Sequence, residues 1–200
     1  MKILSILMKN LFCKVLYRVS YINIDVLNKV DNCLICPNHS RMFDPFYVLP
    51  AELENEVHIM AKSELFNNFF YRWLFKKYNV FPIDREHIDV RSLLKSLNIF
   101  KENKKAKLLI FPEGRVVKND SEIKKHYKKG AVYIAANSNV PIIPVYITRR
   151  PRLFQKIEVI YGEPIYIRNE DISDKRKLKE YSIKLIENIY NLNENNLIEC

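Results

Sequence analysis

Residues 36–45 read C-P-N-H-S-R-M-F-D-P, and the interpretation of the whole chain starts from this stretch. It follows a short apolar run, and it places His39 five positions before Asp44. A histidine held by a carboxylate is a common way to form a general base near neutral pH. Our first hypothesis is therefore that His39 and Asp44 form a catalytic pair.

The composition limits the classes of protein to consider. Two hundred residues, 48% of them apolar, suit one domain with a sizeable core. Three glycines are too few for a glycine-rich phosphate loop or a dinucleotide fingerprint, which excludes kinases, P-loop NTPases and Rossmann dehydrogenases. The net charge of +10 favours a polyanionic partner: nucleic acid, an anionic membrane surface or a phosphorylated substrate.

Cys33 and Cys36 form a C-x-x-C pair, but no second pair exists to complete a zinc site. In a strand these two side chains would face opposite sides of the sheet. The pattern favours buried or free thiols in a reducing compartment over a metal or redox site.

Residues 1–19 are apolar with interspersed lysines and arginines, and the first acid is Asp25. No uninterrupted apolar run approaches the ~20 residues that span a bilayer, and no signal-peptide cleavage site is visible. A core-packed helix with lysines reaching solvent is one interpretation. The density of apolar residues and the lack of acids favour the other, an amphipathic membrane-anchoring helix lying in the interface.

Strand and helix patterns alternate along residues 20–190. Strands are predicted at 21–26, 34–38, 57–61, 80–83, 108–111, 142–147 and 157–161, and helices at 64–77, 88–100, 129–138 and 178–190. The buried side of helix 88–100 is predicted to comprise Val90, Leu93, Leu94, Leu97 and Phe100. We predict a single α/β domain with a mixed, mostly parallel sheet flanked by helices, and a polar tail over 191–200 that frays.

Three polar clusters, at 38–44, 84–85 and 113–115, each follow a predicted strand. Ligands in open α/β sheets bind beyond the carboxyl ends of strands, so the three clusters would converge on one site. Simpler interpretations stay open: His39 as a surface loop residue, Asp44 as a helix N-cap before Pro45, and Arg115 as a solvated side chain.

Together these segments resemble the PlsC-type glycerolipid acyltransferases, the family of 1-acylglycerol-3-phosphate acyltransferases. Four family blocks occur in order: N-H-x-x-x-x-D at 38–44, a strand-then-arginine block at 80–85, F-P-E-G at 111–114 and V-P-I-x-P at 140–144. The segment A-K-S-E-L at 61–65 also looks like the family. One departure stands out: the family usually continues F-P-E-G with T-R-S, whereas residues 115–117 read R-V-V.

The resemblance implies the glycerolipid acyltransferase fold and transfer of a fatty acyl group from acyl-CoA or acyl-carrier protein to the sn-2 hydroxyl of 1-acylglycerol 3-phosphate. The product would be phosphatidic acid, made in phospholipid biosynthesis. We expect no cofactor beyond the thioester co-substrate and no metal. His39 would take the hydroxyl proton, and Asp44 would hold the imidazole.

The remaining roles follow from the same resemblance. Expected substrate-binding residues are Asn38, Lys62, Arg85, Glu113, Gly114 and Arg115, with Lys62, Arg85 and Arg115 near the phosphate and Glu113 orienting the acceptor glycerol or a basic neighbour. Backbone N–H groups near 112–114 are candidate oxyanion donors. Pro141 and Pro144 are expected to line the acyl channel.

Other acceptors, such as glycerol 3-phosphate or another lysophospholipid, would use the same chemistry. A basic nucleic-acid-binding module is a rival of another class, although the aromatic residues cluster in an apolar helical pattern instead of interleaving with Lys and Arg. A non-catalytic membrane-surface protein is a third interpretation. We expect lysophosphatidic acid, the thioester donor and an anionic membrane surface as partners, no nucleic acid, and a peripheral or monotopic location on the cytoplasmic face of the cell membrane.

Overall fold

The computed structural model describes residues 18–42, 44–50, 57–69, 71, 72, 75, 78–84, 89–123, 125–150 and 154–196. Within them, seven strands form one sheet: β1 Arg18–Ile22, β2 Cys33–Pro37, β3 Val57–Lys62, β4 Val80–Ile83, β5 Lys107–Leu109, β6 Ile142–Ile147 and β7 Lys156–Tyr161. The strand order is β1-β7-β6-β2-β5-β3-β4, and only the β6–β7 pair is antiparallel. The predicted mixed, mostly parallel sheet of an α/β fold is confirmed.

Four α-helices have defined bounds: α1 Asp44–Val48, α2 Val90–Glu102, α3 Gly130–Ser138 and α4 Lys175–Asn196. Residues of α2, α3 and α4 pack in one apolar cluster against one face of the sheet. Residues of α1 and of the 3-10 helix Ile24–Asn28 pack against the other face. All five residues of β2 are buried, as the double-faced packing of a central parallel strand requires.

The two cysteines of β2 confirm the predicted alternation. Cys33 belongs to the cluster on one face and Cys36 to the cluster on the other. Burial raises the pKa of both thiols, which for Cys33 reaches about 12. Both side chains are therefore neutral apolar fillers at physiological pH.

Parallel pairing brings the chemistry-bearing segments to one edge of the sheet. The β2–β5 register pairs Ile35 with Leu109, and four further residues along each chain lead to His39 and Glu113. Strand β6 lies on the other side of β2 and pairs with it in parallel, so its carboxyl end reaches the same edge. The convergence expected from the strand-end pattern therefore arises between neighbouring strands.

Several predicted boundaries are wrong. The strand predicted at 21–26 is β1, Arg18–Ile22, followed by the 3-10 helix Ile24–Asn28. Of the helix predicted over 1–19, residues 1–17 lie outside the described residues, and Arg18 and Val19 belong to β1. The predicted start of helix 64–77 is a 3-10 helix, Ser63–Asn67. Residues 191–196 continue α4 instead of fraying.

The predicted buried face of α2 is also partly wrong. Val90 and Leu94 are more than half exposed, whereas Ser92 and Ser96 are buried. The two serine hydroxyls donate to backbone carbonyls, Ser92 Oγ to Asp89 O and Ser96 Oγ to Ser92 O, so they can be buried at little cost. Across the described residues, no helix is long and apolar enough to cross a bilayer.

Candidate active site

His39 and Asp44 form the predicted pair. His39 Nδ1 lies 3.1 Å from Asp44 Oδ2, and both side chains are buried. A carboxylate can only accept, so Nδ1 carries the proton and Nε2 has the free lone pair. The imidazole also stacks on the Phe111 ring, with centroids 4.1 Å apart. The ring is therefore fixed in the tautomer that a general base needs.

Asp44 also organises the loop that carries His39. Its Oδ2 accepts hydrogen bonds from the backbone N–H groups of Ser40 (2.6 Å) and Arg41 (2.7 Å). These donors precede Asp44 in the chain, and its Oδ1 has no hydrogen-bond partner among the described residues. The side chain therefore stabilises the turn at residues 40–44, which precedes α1, and does not cap α1. The far end of α1 is anchored by Tyr161, whose hydroxyl donates to Val48 O.

Asn38 contacts the protein backbone in this structure, and its expected contact with substrate stays a prediction. Its side chain is fully buried. Asn38 Oδ1 accepts from the Ile147 N–H at 2.7 Å, and Nδ2 donates to the Ile147 carbonyl at 3.1 Å. The amide thus extends the β2–β6 ladder by one pair and fixes where the His39 loop leaves the sheet.

Glu113 contacts the backbone of His39, and the expectation that it orients the acceptor glycerol or a basic neighbour stays a prediction. Its Oε2 accepts from the His39 N–H at 2.7 Å, and its Oε1 accepts from the Tyr190 hydroxyl at 2.6 Å. The side chain is 2% exposed. Burial raises the pKa of Glu113 to about 7, although these two hydrogen bonds and the charge of Arg149 oppose the rise.

Arg149 follows β6 at the same edge of the sheet. Its Nη1 donates to the Tyr190 hydroxyl at 3.0 Å, and its Nη2 donates to the Val117 carbonyl at 3.2 Å. Val117 in turn donates its N–H to the His39 carbonyl at 2.8 Å. The polar groups behind His39 therefore come from three separate segments of the chain: the loop after β5, the end of β6 and α4.

Gly114 occupies a position that other residues fit poorly. Its φ is +71°, and a Cβ there would lie 2.5 Å from Lys128 Cγ. Both the left-handed backbone and the close passage of Lys128 favour glycine. The Gly114 N–H donates to the Phe111 carbonyl at 3.0 Å and is therefore committed within this turn. Pro112 has no N–H, so the expected oxyanion donors of 112–114 are reduced to Glu113.

Two cavities adjoin this edge. The larger, about 770 Å³, is mainly apolar and runs between the strand ends and α2, α3 and α4; its wall includes Met60, Ile83, Leu93, Phe111, Tyr127 and Ile134. The smaller, about 330 Å³, is basic and is lined by residues 113–115 and 125–128. Phe111 stacks on the His39 ring and also lines the apolar cavity, so one side chain separates that cavity from the imidazole.

A comparison with protein-family models matches residues 18–148 to the acyltransferase family. The chain belongs to the acyltransferase family. The matched residues contain both members of the His39–Asp44 pair and Glu113. The catalytic pair and Glu113 therefore lie within the part of the chain that matches the family, whereas Arg149 and Tyr190 lie beyond it.

Two curated relatives resemble this acyltransferase chain over most of its length. It is 30% identical over 174 residues to a 1-acyl-sn-glycerol-3-phosphate acyltransferase of Streptococcus pneumoniae, covering 84% of this chain and 61% of that protein. It is 31% identical over 138 residues to the protein of the same name from Bacillus subtilis, covering 66% of each. The alignments thus span less than two thirds of either relative.

The acyltransferase fold is also that of a solved structure. The crystal structure of the 1-acyl-sn-glycerophosphate (LPA) acyltransferase PlsC from Thermotoga maritima superposes with a TM-score of 0.66 at 19% identity, covering 98% of this chain and 81% of that one. At that identity the likeness establishes the fold alone.

The other predicted site residues of the acyltransferase are distributed as follows. Lys62 pairs with Glu64 at 2.6 Å on the surface beyond β3, and Arg115 pairs with Glu122 at 3.1 Å beside the basic cavity. Arg85 lies outside the described residues. Pro141 and Pro144 are buried just before and within β6 and are absent from the described walls of both cavities, so their place in an acyl channel stays a prediction.

Sequence reasoning missed Arg149 and Tyr190 as members of the acyltransferase site. Arg149 had a usable signal, because it follows the predicted strand 142–147 just as the other polar clusters follow theirs. Tyr190 had none, since its position in an amphipathic helix is the same as that of any core tyrosine.

Proposed function

We propose that this acyltransferase transfers a fatty acyl group from a thioester donor, acyl-CoA or acyl-carrier protein, to the sn-2 hydroxyl of 1-acylglycerol 3-phosphate, producing phosphatidic acid. The observation that carries the proposal is the buried His39–Asp44 pair beside an apolar cavity and a basic one. The names of the two curated relatives support this choice of acceptor.

The catalytic pair suits this reaction. The acceptor hydroxyl has a very high pKa and must lose its proton as it attacks the thioester carbonyl. His39 Nε2 takes that proton, and Asp44 stabilises the imidazolium through the Nδ1 hydrogen bond. The departing thiolate then recovers a proton, so no acyl-enzyme is required. Ser40 is not the nucleophile, because its Oγ is buried and accepts from the Arg150 N–H.

The apolar cavity suits an acyl chain. Its volume lies within the ~300–1,000 Å³ typical of small-ligand sites, and burying each methylene there contributes about 0.8 kcal/mol. The cavity lies against Phe111, beside the imidazole that would deprotonate the acceptor. We assign it to the fatty acyl chain that is being transferred.

We expect Leu93→Trp to shorten the preferred acyl chain. Leu93 lines the apolar cavity, so the larger side chain occupies space that the end of a long chain needs. Excluding two methylenes costs roughly tenfold in relative kcat/KM. Competition between long and short thioester donors measures the change. Leu94→Trp is the matched control, because Leu94 is on the exposed side of the same helix. Equal chain preference in the two variants would remove the acyl chain from this cavity.

The basic cavity suits the phosphate of the acceptor. Arg115, Lys125, His126 and Lys128 contribute to its wall. The Arg115–Glu122 pair is more than half exposed on the arginine side, and such surface pairs are weak, so a phosphate can replace the carboxylate. Arginine offers a bidentate contact to phosphate. Arg85 and Lys62 remain proposed phosphate ligands on the strength of the family resemblance.

We expect Arg115→Gln to raise the acceptor KM on the order of tenfold and to leave kcat nearly unchanged, since it removes a charged contact to the phosphate in ground and transition states alike. Steady-state kinetics with varied acceptor measures both constants. Lys118→Gln is the control, an exposed cation of the same loop that is not part of the described cavity wall. An Arg115→Gln acceptor KM equal to that of the control would remove Arg115 from the phosphate site.

We also propose that the enzyme works as a peripheral or monotopic protein on the cytoplasmic face of an anionic membrane. Ser40 Oγ accepts from the Arg150 N–H, so residues 40 and 150 adjoin. Exposed apolar Met42 and Phe154 lie near these two residues in the chain, as do the exposed Arg41 and Arg150. Such a mixture of apolar and basic side chains suits an anionic lipid surface. We do not propose nucleic acid as a partner.

A thiol-release assay tests the proposed function. Purified protein is mixed with an acyl-CoA and, in turn, with 1-acylglycerol 3-phosphate, glycerol 3-phosphate, another lysophospholipid or no acceptor. The proposal predicts rapid release only with 1-acylglycerol 3-phosphate. Equal release without an acceptor would indicate a thioesterase, and a preference for glycerol 3-phosphate would assign the alternative acceptor.

A further inference from the structure

The peptide groups on both sides of His39 are held by buried hydrogen bonds. The His39 N–H donates to Glu113 Oε2 at 2.7 Å. The His39 carbonyl accepts from the Val117 N–H at 2.8 Å. The His39 side chain is attached to the Cα atom between these two peptide groups. Their positions therefore fix the point from which the imidazole extends.

Both contacts lead to the same pair of side chains. Glu113 Oε1 accepts from the Tyr190 hydroxyl at 2.6 Å, and the Val117 carbonyl accepts from Arg149 Nη2 at 3.2 Å. Arg149 Nη1 donates to the Tyr190 hydroxyl at 3.0 Å, which closes the circuit. The guanidinium carbon also lies 5.8 Å from the centre of the Tyr190 ring.

We propose that Arg149 and Tyr190 are positioning residues for the general base, acting on His39 through Val117 and Glu113 respectively. Neither contacts the imidazole, and in the proposed reaction neither contacts the reacting atoms. The orienting effect rests on the geometry alone, whereas its effect on turnover rests on the proposed function. The role places part of the catalytic geometry in α4, more than 140 residues beyond His39.

Buried polar circuits of this kind are sensitive to the loss of one member, because the remaining groups cannot turn to water. Four groups face Glu113: the His39 N–H after β2, Asp44 of α1, Arg149 after β6 and Tyr190 of α4. Burial raises the pKa of Glu113 to about 7, and the hydrogen bond from Tyr190 opposes that rise. As the pH falls below about 7, the carboxylate gains a proton and holds the His39 N–H less firmly.

The sharpest test replaces Tyr190 with phenylalanine. Tyr190→Phe keeps the ring but removes the hydroxyl that favours ionised Glu113, so the pKa of Glu113 rises further, by about one unit. The chemical shift of the His39 backbone amide, followed by NMR as the pH is varied, reports this titration without any catalysis. We expect its midpoint to rise by that amount in the variant.

Tyr181→Phe is the matched control, a half-buried tyrosine of the same helix whose hydroxyl makes no hydrogen bond to a described residue. Its His39 amide midpoint should equal that of the wild type. A midpoint in Tyr190→Phe that equals the control would overturn the proposal. The same spectra show whether each variant is folded.

Kinetics give the second readout. We expect Tyr190→Phe to lower kcat about tenfold with an unchanged acceptor KM, and to move the acid limb of the kcat–pH profile upward with the amide midpoint. A fall in kcat with an unmoved acid limb would indicate a merely structural role and would contradict the proposal. Absence of turnover in the wild type would refute the proposed function, while the amide titration would still decide whether Tyr190 positions His39.

Discussion

Replacing His39 with alanine is expected to reduce acyl transfer by on the order of 10²–10⁴-fold, the usual contribution of a general base. Asp44 Oδ2 holds the imidazole through Nδ1, which leaves Nε2 to accept the hydroxyl proton, and two cavities adjoin the same edge of the sheet. Without the imidazole, the acceptor hydroxyl must attack as the neutral alcohol. Single-turnover formation of acylated product measures the loss directly.

The His39→Ala protein should remain folded. The backbone contacts of residue 39 to Glu113 and Val117 do not depend on the side chain. Loss of the Phe111 stack and of one hydrogen bond should cost about 1–3 kcal/mol of unfolding free energy. Far-UV circular dichroism and a thermal melt provide this control. A folded variant with near-wild-type turnover would show that another group removes the proton.

Asp44→Asn is expected to lower kcat nearly as much, on the order of 10²–10³-fold, with little change in acceptor KM. The asparagine oxygen can still accept from the Ser40 and Arg41 N–H groups, so the loop keeps its shape. The negative charge that stabilises the imidazolium is lost, and the tautomer of His39 is no longer fixed. The change should therefore act on the transition state alone.

Steady-state kinetics and denaturant unfolding together separate this role from a structural one. A transition-state role predicts equal falls in kcat and kcat/KM. A rise in acceptor KM in proportion to a large loss of unfolding free energy would instead mean that Asp44 chiefly supports the loop. Ser40→Ala is a useful comparison, because it removes only the hydroxyl contact to the Arg150 N–H and leaves Asp44 in place.

The strand-end pattern predicted the catalytic edge because it depends only on topology. It predicted that strand-end clusters meet at one edge, and the structure shows why His39 and Glu113 do: β2 and β5 are neighbouring parallel strands. The pairing of His39 with Asp44 was predictable for a local reason, a five-residue separation across a turn. Both predictions survive one-residue errors in strand boundaries.

The contacts of Asn38 and Glu113 could not be predicted, because burial decides them. Both lie in family-like blocks at strand ends, where a polar side chain can face either substrate or protein. Their partners, the Ile147 backbone and the Tyr190 hydroxyl, lie 109 and 77 residues away in the chain. Only the packing of α4 and β6 against the loop turns these residues toward the protein interior.

The prediction of the buried face of α2 was partly wrong for a different reason. The apolar pattern favoured Val90 and Leu94, but buried Ser92 and Ser96 satisfy their hydroxyls within the helix and allow close packing. The acyl channel at Pro141 and Pro144 stays a prediction: both residues are buried, and the described apolar cavity is bounded instead by α2 and α3.

The most direct test of the account is mass-spectrometric identification of the product formed from an acyl-CoA and isotopically labelled 1-acylglycerol 3-phosphate by the wild-type protein beside His39→Ala. The account predicts labelled phosphatidic acid carrying the donor's acyl chain at sn-2 from the wild type and at most about 1% as much from the variant. Equal amounts of labelled phosphatidic acid from both proteins, or free fatty acid as the sole acyl product of the wild type, would contradict it.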